Sequence, residues 1–175
     1  RQGHKFQLVV AGPTIFGREA KFFNQMLAEN LRLNVHWCKR VPEPVRNGLF
    51  ALSRCIVYPS VHREPFGMVA VEALSFGTPA IVPDFGGVAG AISAEGFTGG
   101  LTFRAFDSGD LATQILRLLT DEALHQALAA QGPKVAEYYS VEHLAQRMLQ
   151  HLGLGASGTP PAVAPLNLST ASDQQ

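Results

Sequence analysis

Short apolar runs alternate with longer amphipathic stretches through most of this chain, and this alternation constrains the fold more than any other feature of the sequence. Five runs have the length and composition of buried strands: 6–12, 34–38, 55–58, 80–82 and 101–103. Strands that alternate with helices form an open parallel sheet covered by helices on both faces. We therefore expect an α/β fold built on a Rossmann-like sheet.

Helical spacing and end signals predict where the helices lie. They are expected at 17–31, from Pro44 onward, from 67 or 68 to 76, and at 107–119, 121–130 and 140–152. Gly77 and the Gly132-Pro133 pair are expected to end two of these helices. Residues 153–175 hold one charge and no aromatic residue, which is typical of a flexible tail. The predicted domain is therefore 1–152.

Composition narrows the class of protein. The 14 basic and 14 acidic residues balance, so the net charge gives no support for nucleic-acid binding. The apolar runs are too short to cross a bilayer, and the first residues do not form a secretory signal. Cys38 and Cys55 have neither metal-ligand spacing nor the number needed for a disulfide framework. These features predict a cytoplasmic protein with reduced thiols.

Ligands of such sheets bind beyond the carboxyl ends of the strands, so the loops there are the candidates for a site. The loop at 12–17 lacks both the dinucleotide glycine pattern and the P-loop pattern. A nicotinamide-dependent oxidoreductase therefore loses its main support, although it stays an alternative. Lys39, Arg40 and Arg46 follow the second strand, and we interpret them as a solvated basic face.

The loop after the third strand is the most informative. Gly67 lets a ligand approach the backbone closely, and the amides that follow it open a helix, which favours anion binding. Glu64 and Glu72 bracket this helix start. Such a pair also arises by chance, and a glutamate near a helix start often only compensates the helix dipole.

The context of these two glutamates carries a family resemblance. The segment from Glu64 to Pro79, EPFGMVAVEALSFGTP, resembles the E-x7-E segment of the retaining GT-B glycosyltransferases of family four. The likeness extends over roughly 6–152. It implies that the chain is the donor-binding, C-terminal half of a GT-B fold.

The resemblance also implies roles for individual residues. Glu64 would be the catalytic residue beside the donor sugar, and the family's donor-binding positions correspond here to Phe66, Gly67, Met68, Val69 and Glu72. The backbone of 66–69 would cradle the sugar and diphosphate, while Glu72 would accept hydrogen bonds from the ribose hydroxyls. The substrate would be a nucleotide-diphosphate sugar that transfers its sugar to an acceptor hydroxyl, with no cofactor and no obligatory metal.

The sequence also departs from the family pattern. The family's first strand–helix unit and its N-terminal acceptor-binding domain have no counterpart here, and Gly90 replaces an acid found after the fourth strand. A membrane surface would be reached only through the absent domain. Three alternatives stay open: a nucleotide-binding or interaction module without turnover, a GT-B epimerase, and the oxidoreductase.

Overall fold

A computed structural model describes residues 6–12, 21, 25, 35–38, 40–60 and 62–154. The chain divides into two compact units between Tyr138 and Tyr139. The strands are β1 (Leu8–Ala11), β2 (Val35–Cys38), β3 (Ile56–Val57), β4 (Ala80–Pro83), β5 (Ser93–Ala94), β6 (Phe97–Thr98) and β7 (Gly100–Phe103). The helices of the first unit are α1 (Glu43–Leu52), α2 (Met68–Ser75), α3 (Gly87–Ala91), α4 (Ser108–Thr120) and α5 (Glu122–Tyr138), and the second unit contains α6 (Val141–His151).

The five predicted strands are present and pair in parallel. β1 pairs with β2, while β4 lies between β3 and β7 in a second sheet. The predicted α/β fold with a Rossmann-like parallel arrangement is confirmed.

The core lies between the three-stranded sheet and the last two helices of the first unit. All four residues of β4 are buried, as expected for a central parallel strand covered on both faces. Ile81, Phe103, Leu118 and Leu128 form one apolar cluster. This packing holds β4 in place. Its neighbours in the sheet, β3 and β7, precede α2 and α4 along the chain.

One predicted helix end is wrong. Helix α5 continues through Gly132 and Pro133 to Tyr138, although this pair resembles a stop signal. A Cβ at Gly132 would lie 2.9 Å from the carbonyl oxygen of Leu74 in α2. Gly132 therefore allows two helix backbones to approach closely, and this packing outweighs the local tendency to stop.

Other predictions fall partly outside the described residues. Of the predicted helix 17–31, only Lys21 and Gln25 are described, and both are helical. Residues 155–175 lie outside the description, so the predicted tail and the domain boundary stay predictions. The β5–β6 hairpin was not expected, because its Glu95-Gly96 turn is not one of the strong hairpin dipeptides.

Candidate functional site

The loop between β3 and α2 carries Glu64 and is held at both ends. The backbone N–H of Tyr58 donates to the carbonyl of Ile81 at 2.9 Å, which extends the parallel ladder. The Tyr58 hydroxyl forms a hydrogen bond with the Glu64 carboxylate, and burial, that bond and the carboxylate charge together raise the pKa of Tyr58. The Glu64 carboxylate and the Tyr58 phenol are thus neighbours at the carboxyl edge of the sheet.

The same loop packs backbone to backbone against the turn before α3. The N–H of Gly87 donates to the carbonyl of Glu64 at 2.8 Å. A Cβ on Gly86 would lie 3.1 Å from that carbonyl oxygen, and a Cβ on Gly87 would fall on the carbonyl of Pro65. Two consecutive glycines are therefore required for the loop to sit where it does.

Helix α2 begins without a side-chain cap. Its N-cap is Gly67 in the left-handed conformation, with φ of +83°, which glycine adopts without strain. The first turn contains no acidic residue, although the first amides of a helix lack internal acceptors. Met68 and Val69 are 60% and 41% exposed. The open helix start is the feature that can receive an anionic ligand.

Glu72 lies one turn further along α2 and faces Arg46 of α1. Its Oε2 lies 3.6 Å from a terminal guanidinium nitrogen of Arg46. This distance is longer than a hydrogen bond, so the contact is a loose ion pair. Arg46 is only partly solvated, because its side chain is 40% exposed but its Nε atom is buried.

A cleft of about 480 Å³ opens beside this ion pair. Its walls come from the end of β1, the loop after β2, α1 and the first turn of α2. The lining residues are Ala11, Gly12, Arg40, Val41, Arg46, Phe50 and Val69. The cleft therefore combines apolar surface with two guanidinium groups and adjoins the open helix start.

The predicted site residues thus lie in two adjoining places, which are the cleft and the contact with the turn before α3. Val69 lines the cleft directly, and Glu72 reaches it through Arg46. Glu64 lies instead with the turn before α3, and the segment 66–68 connects the two places. Sequence reasoning missed the contact between Arg46 and Glu72, because nothing local links residues 26 positions apart on separate helices.

Other candidate chemistries find little support among the described residues. They contain no group of three or more His, Cys, Asp or Glu side chains placed to hold a metal ion. Both cysteines are free thiols, and burial raises the pKa of Cys55 to about 11, which keeps it protonated near neutral pH. No described helix combines the length and apolarity that a bilayer crossing requires.

Comparison with known proteins places the chain in a family. The family model described as glycosyl transferases group 1 matches residues 1–135. The chain is 33% identical over 162 residues to a D-inositol 3-phosphate glycosyltransferase of Rhodococcus erythropolis, an alignment that covers 89% of this chain and 36% of the relative. A second such enzyme, from Rhodococcus opacus, is 37% identical over 102 residues, or 58% of this chain and 22% of the relative.

Solved structures agree with this assignment. Sucrose-phosphate synthase from Thermosynechococcus elongatus aligns with a TM-score of 0.68 at 25% identity, over 86% of this chain and 39% of that one. Anabaena Alr3699/HepE in complex with UDP and glucose aligns with a TM-score of 0.69 at 21% identity, over 84% of this chain and 40% of that one.

The fold is that of one half of a GT-B glycosyltransferase. The chain belongs to the glycosyl transferases group 1 family and spans 36% or less of the two curated relatives described above.

Proposed function

We propose that this chain is the donor-binding part of a retaining glycosyltransferase, which transfers a sugar from a nucleotide-diphosphate sugar to an acceptor hydroxyl. The uncapped start of α2 beside the cleft is the observation that carries the proposal. The amides that follow Gly67 would donate to the diphosphate. Because these donors are fixed before the reaction, they stabilise charge that develops on the leaving group without reorganisation.

The remaining predicted residues fit around a diphosphate placed there. The backbone of 66–69 would follow the sugar and diphosphate, and Glu72 would accept hydrogen bonds from ribose hydroxyls. Glu64, which neighbours Tyr58, would lie by the donor sugar. Val41, Phe50 and Val69 provide apolar cleft surface that suits the flat faces of a nucleobase.

In the proposed reaction, the bond between the anomeric carbon and the diphosphate oxygen breaks through an oxocarbenium-like state. The acceptor oxygen forms its bond on the same face of the sugar, so the anomeric configuration is retained. The acceptor proton passes to the departing diphosphate. The helix amides supply the charge stabilisation in this scheme, so we propose that no metal is obligatory.

Nucleotide binding tests the proposal on the chain as it stands. UDP, ADP, GDP and their glucose conjugates are compared by thermal shift and calorimetry. We expect at least one to bind and raise Tm, since a ligand at a hundredfold excess over Kd stabilises the folded state by about 2.7 kcal/mol. The absence of any shift or heat with all six compounds would overturn the proposal.

A matched pair of variants locates the binding. Glu72→Ala removes the carboxylate beside the cleft, and we expect about tenfold weaker binding, because hydrogen bonds to charged groups are the stronger class. Glu137→Ala removes an exposed helical glutamate that does not line the cleft, and we expect no change in nucleotide affinity.

Binding accompanied by neither donor hydrolysis nor transfer would favour the alternative of a nucleotide-binding module without turnover.

A further inference from the structure

Arg46 and Glu72 form a contact that leaves polar groups of both side chains unsatisfied. The guanidinium and the carboxylate are 3.6 Å apart, and the two side chains are 40% and 32% exposed. Within them, however, the Nε atom of Arg46 and the Oε2 atom of Glu72 are both buried and have no hydrogen-bond partner. Among the described residues, only one other buried side-chain polar atom lacks a hydrogen-bond partner, namely Nδ1 of His125.

Unpaired buried polar atoms are rare in folded proteins and are costly, so each requires an explanation. Here one atom can only donate a hydrogen bond and the other can only accept one. An anion bound between the two side chains would be repelled by the Glu72 carboxylate, and a cation would be repelled by the Arg46 guanidinium. A hydroxyl group, which donates through its hydrogen and accepts through its oxygen, complements both atoms at once.

Both atoms are shielded from bulk solvent. A hydroxyl of a ligand whose other parts bind nearby and separate the two side chains can reach both atoms. An oxygen at about 2.8 Å from each atom needs them roughly 4.5 Å apart. A loose ion pair on two half-exposed side chains opens to this width at little cost.

The position of the pair indicates which hydroxyl this is. Glu72 lies four residues beyond Met68, about 6 Å along the helix axis from the first amides. On the proposed function, on which this inference rests, those amides hold the diphosphate. A group about 6 Å away, on the side where the cleft is apolar, is the ribose between the diphosphate and the base.

We propose that Arg46 is a specificity residue for the ribose. Its Nε donates to the oxygen of one ribose hydroxyl, whose hydrogen is accepted by Oε2 of Glu72. The ion pair between the two side chains opens to admit this hydroxyl and is replaced by two charge-assisted hydrogen bonds. A deoxy nucleotide that lacks this hydroxyl leaves both buried atoms unpaired.

The experiment compares a nucleoside diphosphate found to bind with its 2′-deoxy and 3′-deoxy counterparts, by calorimetry on the whole chain. For the wild type we expect one deoxy compound to bind at least about tenfold more weakly, since a site that loses a matched hydroxyl is left with unpaired polar groups. This comparison uses only the wild-type chain, so it does not depend on how a variant folds. Equal affinities for all three compounds would overturn the inference and leave the proposed function standing.

Variants then assign the discrimination to Arg46. In Arg46→Met, which keeps the apolar stem, we expect the ratio between the hydroxyl and deoxy compounds to fall to about threefold or less. Arg46→Lys keeps the charge without Nε, and we expect the same fall. Arg40→Met removes a charge from the same cleft, and we expect all three affinities to weaken equally, with the ratio preserved.

The outcomes separate the two proposals. A ratio that is unchanged in Arg46→Met overturns the role of Arg46 alone, and a ratio kept by lysine but lost with methionine overturns the assignment to Nε. If the wild type binds no nucleotide, the proposed function falls and takes the inference with it. Thermal unfolding of each variant confirms the fold, and we expect Arg46→Met to unfold near the wild-type Tm because the resting pair is unsatisfied.

Discussion

Helices α2 and α4 both follow strands of the three-stranded sheet, but they begin in different ways. In α4, the carboxylate of Asp107 accepts from the N–H of Asp110 at 2.9 Å, and Asp110 accepts from the N–H of Arg104 at 2.6 Å. In α2, the N-cap is a glycine and no side chain caps the first turn. The start of α4 is completed by its own side chains, whereas no side chain caps the start of α2.

This difference shows how the chain separates structural helix starts from the candidate binding site. The start of α4 requires its capping carboxylates. The start of α2 instead requires that its N-cap, Gly67, has no side chain. Added atoms are therefore expected to damage the region around α2, and removed atoms to damage α4. The predictions below test this contrast, in order of decreasing effect.

The largest effect is expected from Gly87→Ala. Its Cβ would fall on the Pro65 carbonyl, so the loop that carries Glu64 must move. We expect a loss of about 3 kcal/mol in the free energy of unfolding, as for severe overpacking, measured by urea denaturation. Gly90→Ala in the same helix is the control, because its Cβ meets nothing within 4 Å. Comparable losses in both variants would contradict the backbone contact as the cause.

Gly67→Ala is expected to cost about 2 kcal/mol, because the position requires a left-handed φ and the new Cβ approaches Val88. A double-mutant cycle with Val88→Ala separates the two causes. Removing the Val88 methyls relieves part of the contact but none of the φ strain, so we expect the double variant to be more stable than the two single losses predict. Strict additivity in urea denaturation would exclude the contact with Val88.

Asp107→Ala removes the cap of α4, and we expect a loss of about 1 kcal/mol. This corresponds to a Tm lower by about 2–4 °C, with nucleotide affinity unchanged. Asp107→Asn is the matched control, because asparagine caps as well as aspartate does. If asparagine were as damaging as alanine, the 2.8 Å ion pair between Asp107 and Arg104 would be the source of stability instead.

The smallest effect concerns pH. The hydrogen bond from the Arg104 N–H, followed by that from Gln114, lowers the pKa of Asp110 below its usual 3.8. Because the folded pKa is the lower one, its contribution to stability is present above about pH 3.8 and is lost as the pH falls through the folded value. NMR titration should show Asp110 ionising below 3.8, and Asp110→Asn should reduce the acid dependence of Tm. A titration at or above 3.8 would contradict the hydrogen bonds at this helix start.

The sequence predicts those parts of the molecule that depend on local pattern. Continuous apolar runs locate the parallel strands, and Gly67 and Gly77 bracket α2 as expected. Predictions fail where packing decides. Gly132 resembles a stop but lets α5 approach α2. In α1 the apolar side chain of Leu52 is 89% exposed while that of Phe50 is buried, which composition alone does not decide.

The same limit applies to the site. The Glu64–Glu72 segment is contiguous, so its pattern is readable in the sequence. The cleft joins segments that are distant along the chain, from Gly12 to Val69, and the unsatisfied state of Arg46 depends on a neighbour in another helix. The position of a charged group is thus readable from sequence, whereas its partner is decided by tertiary packing.

The close packing at Leu74 has a consequence for the opposite end of its helix. A Cβ at Gly99 or Gly132 would meet Leu74 at 2.6 and 2.9 Å, and Leu74 is fully buried. Helix α2 has eight residues, so it is only about 12 Å long, and a clamp at its buried end restrains its open end as well. On the proposed function, folding and ligand binding are therefore linked through this short helix, so a substitution that loosens the Leu74 contact should weaken binding about two turns away without touching the ligand.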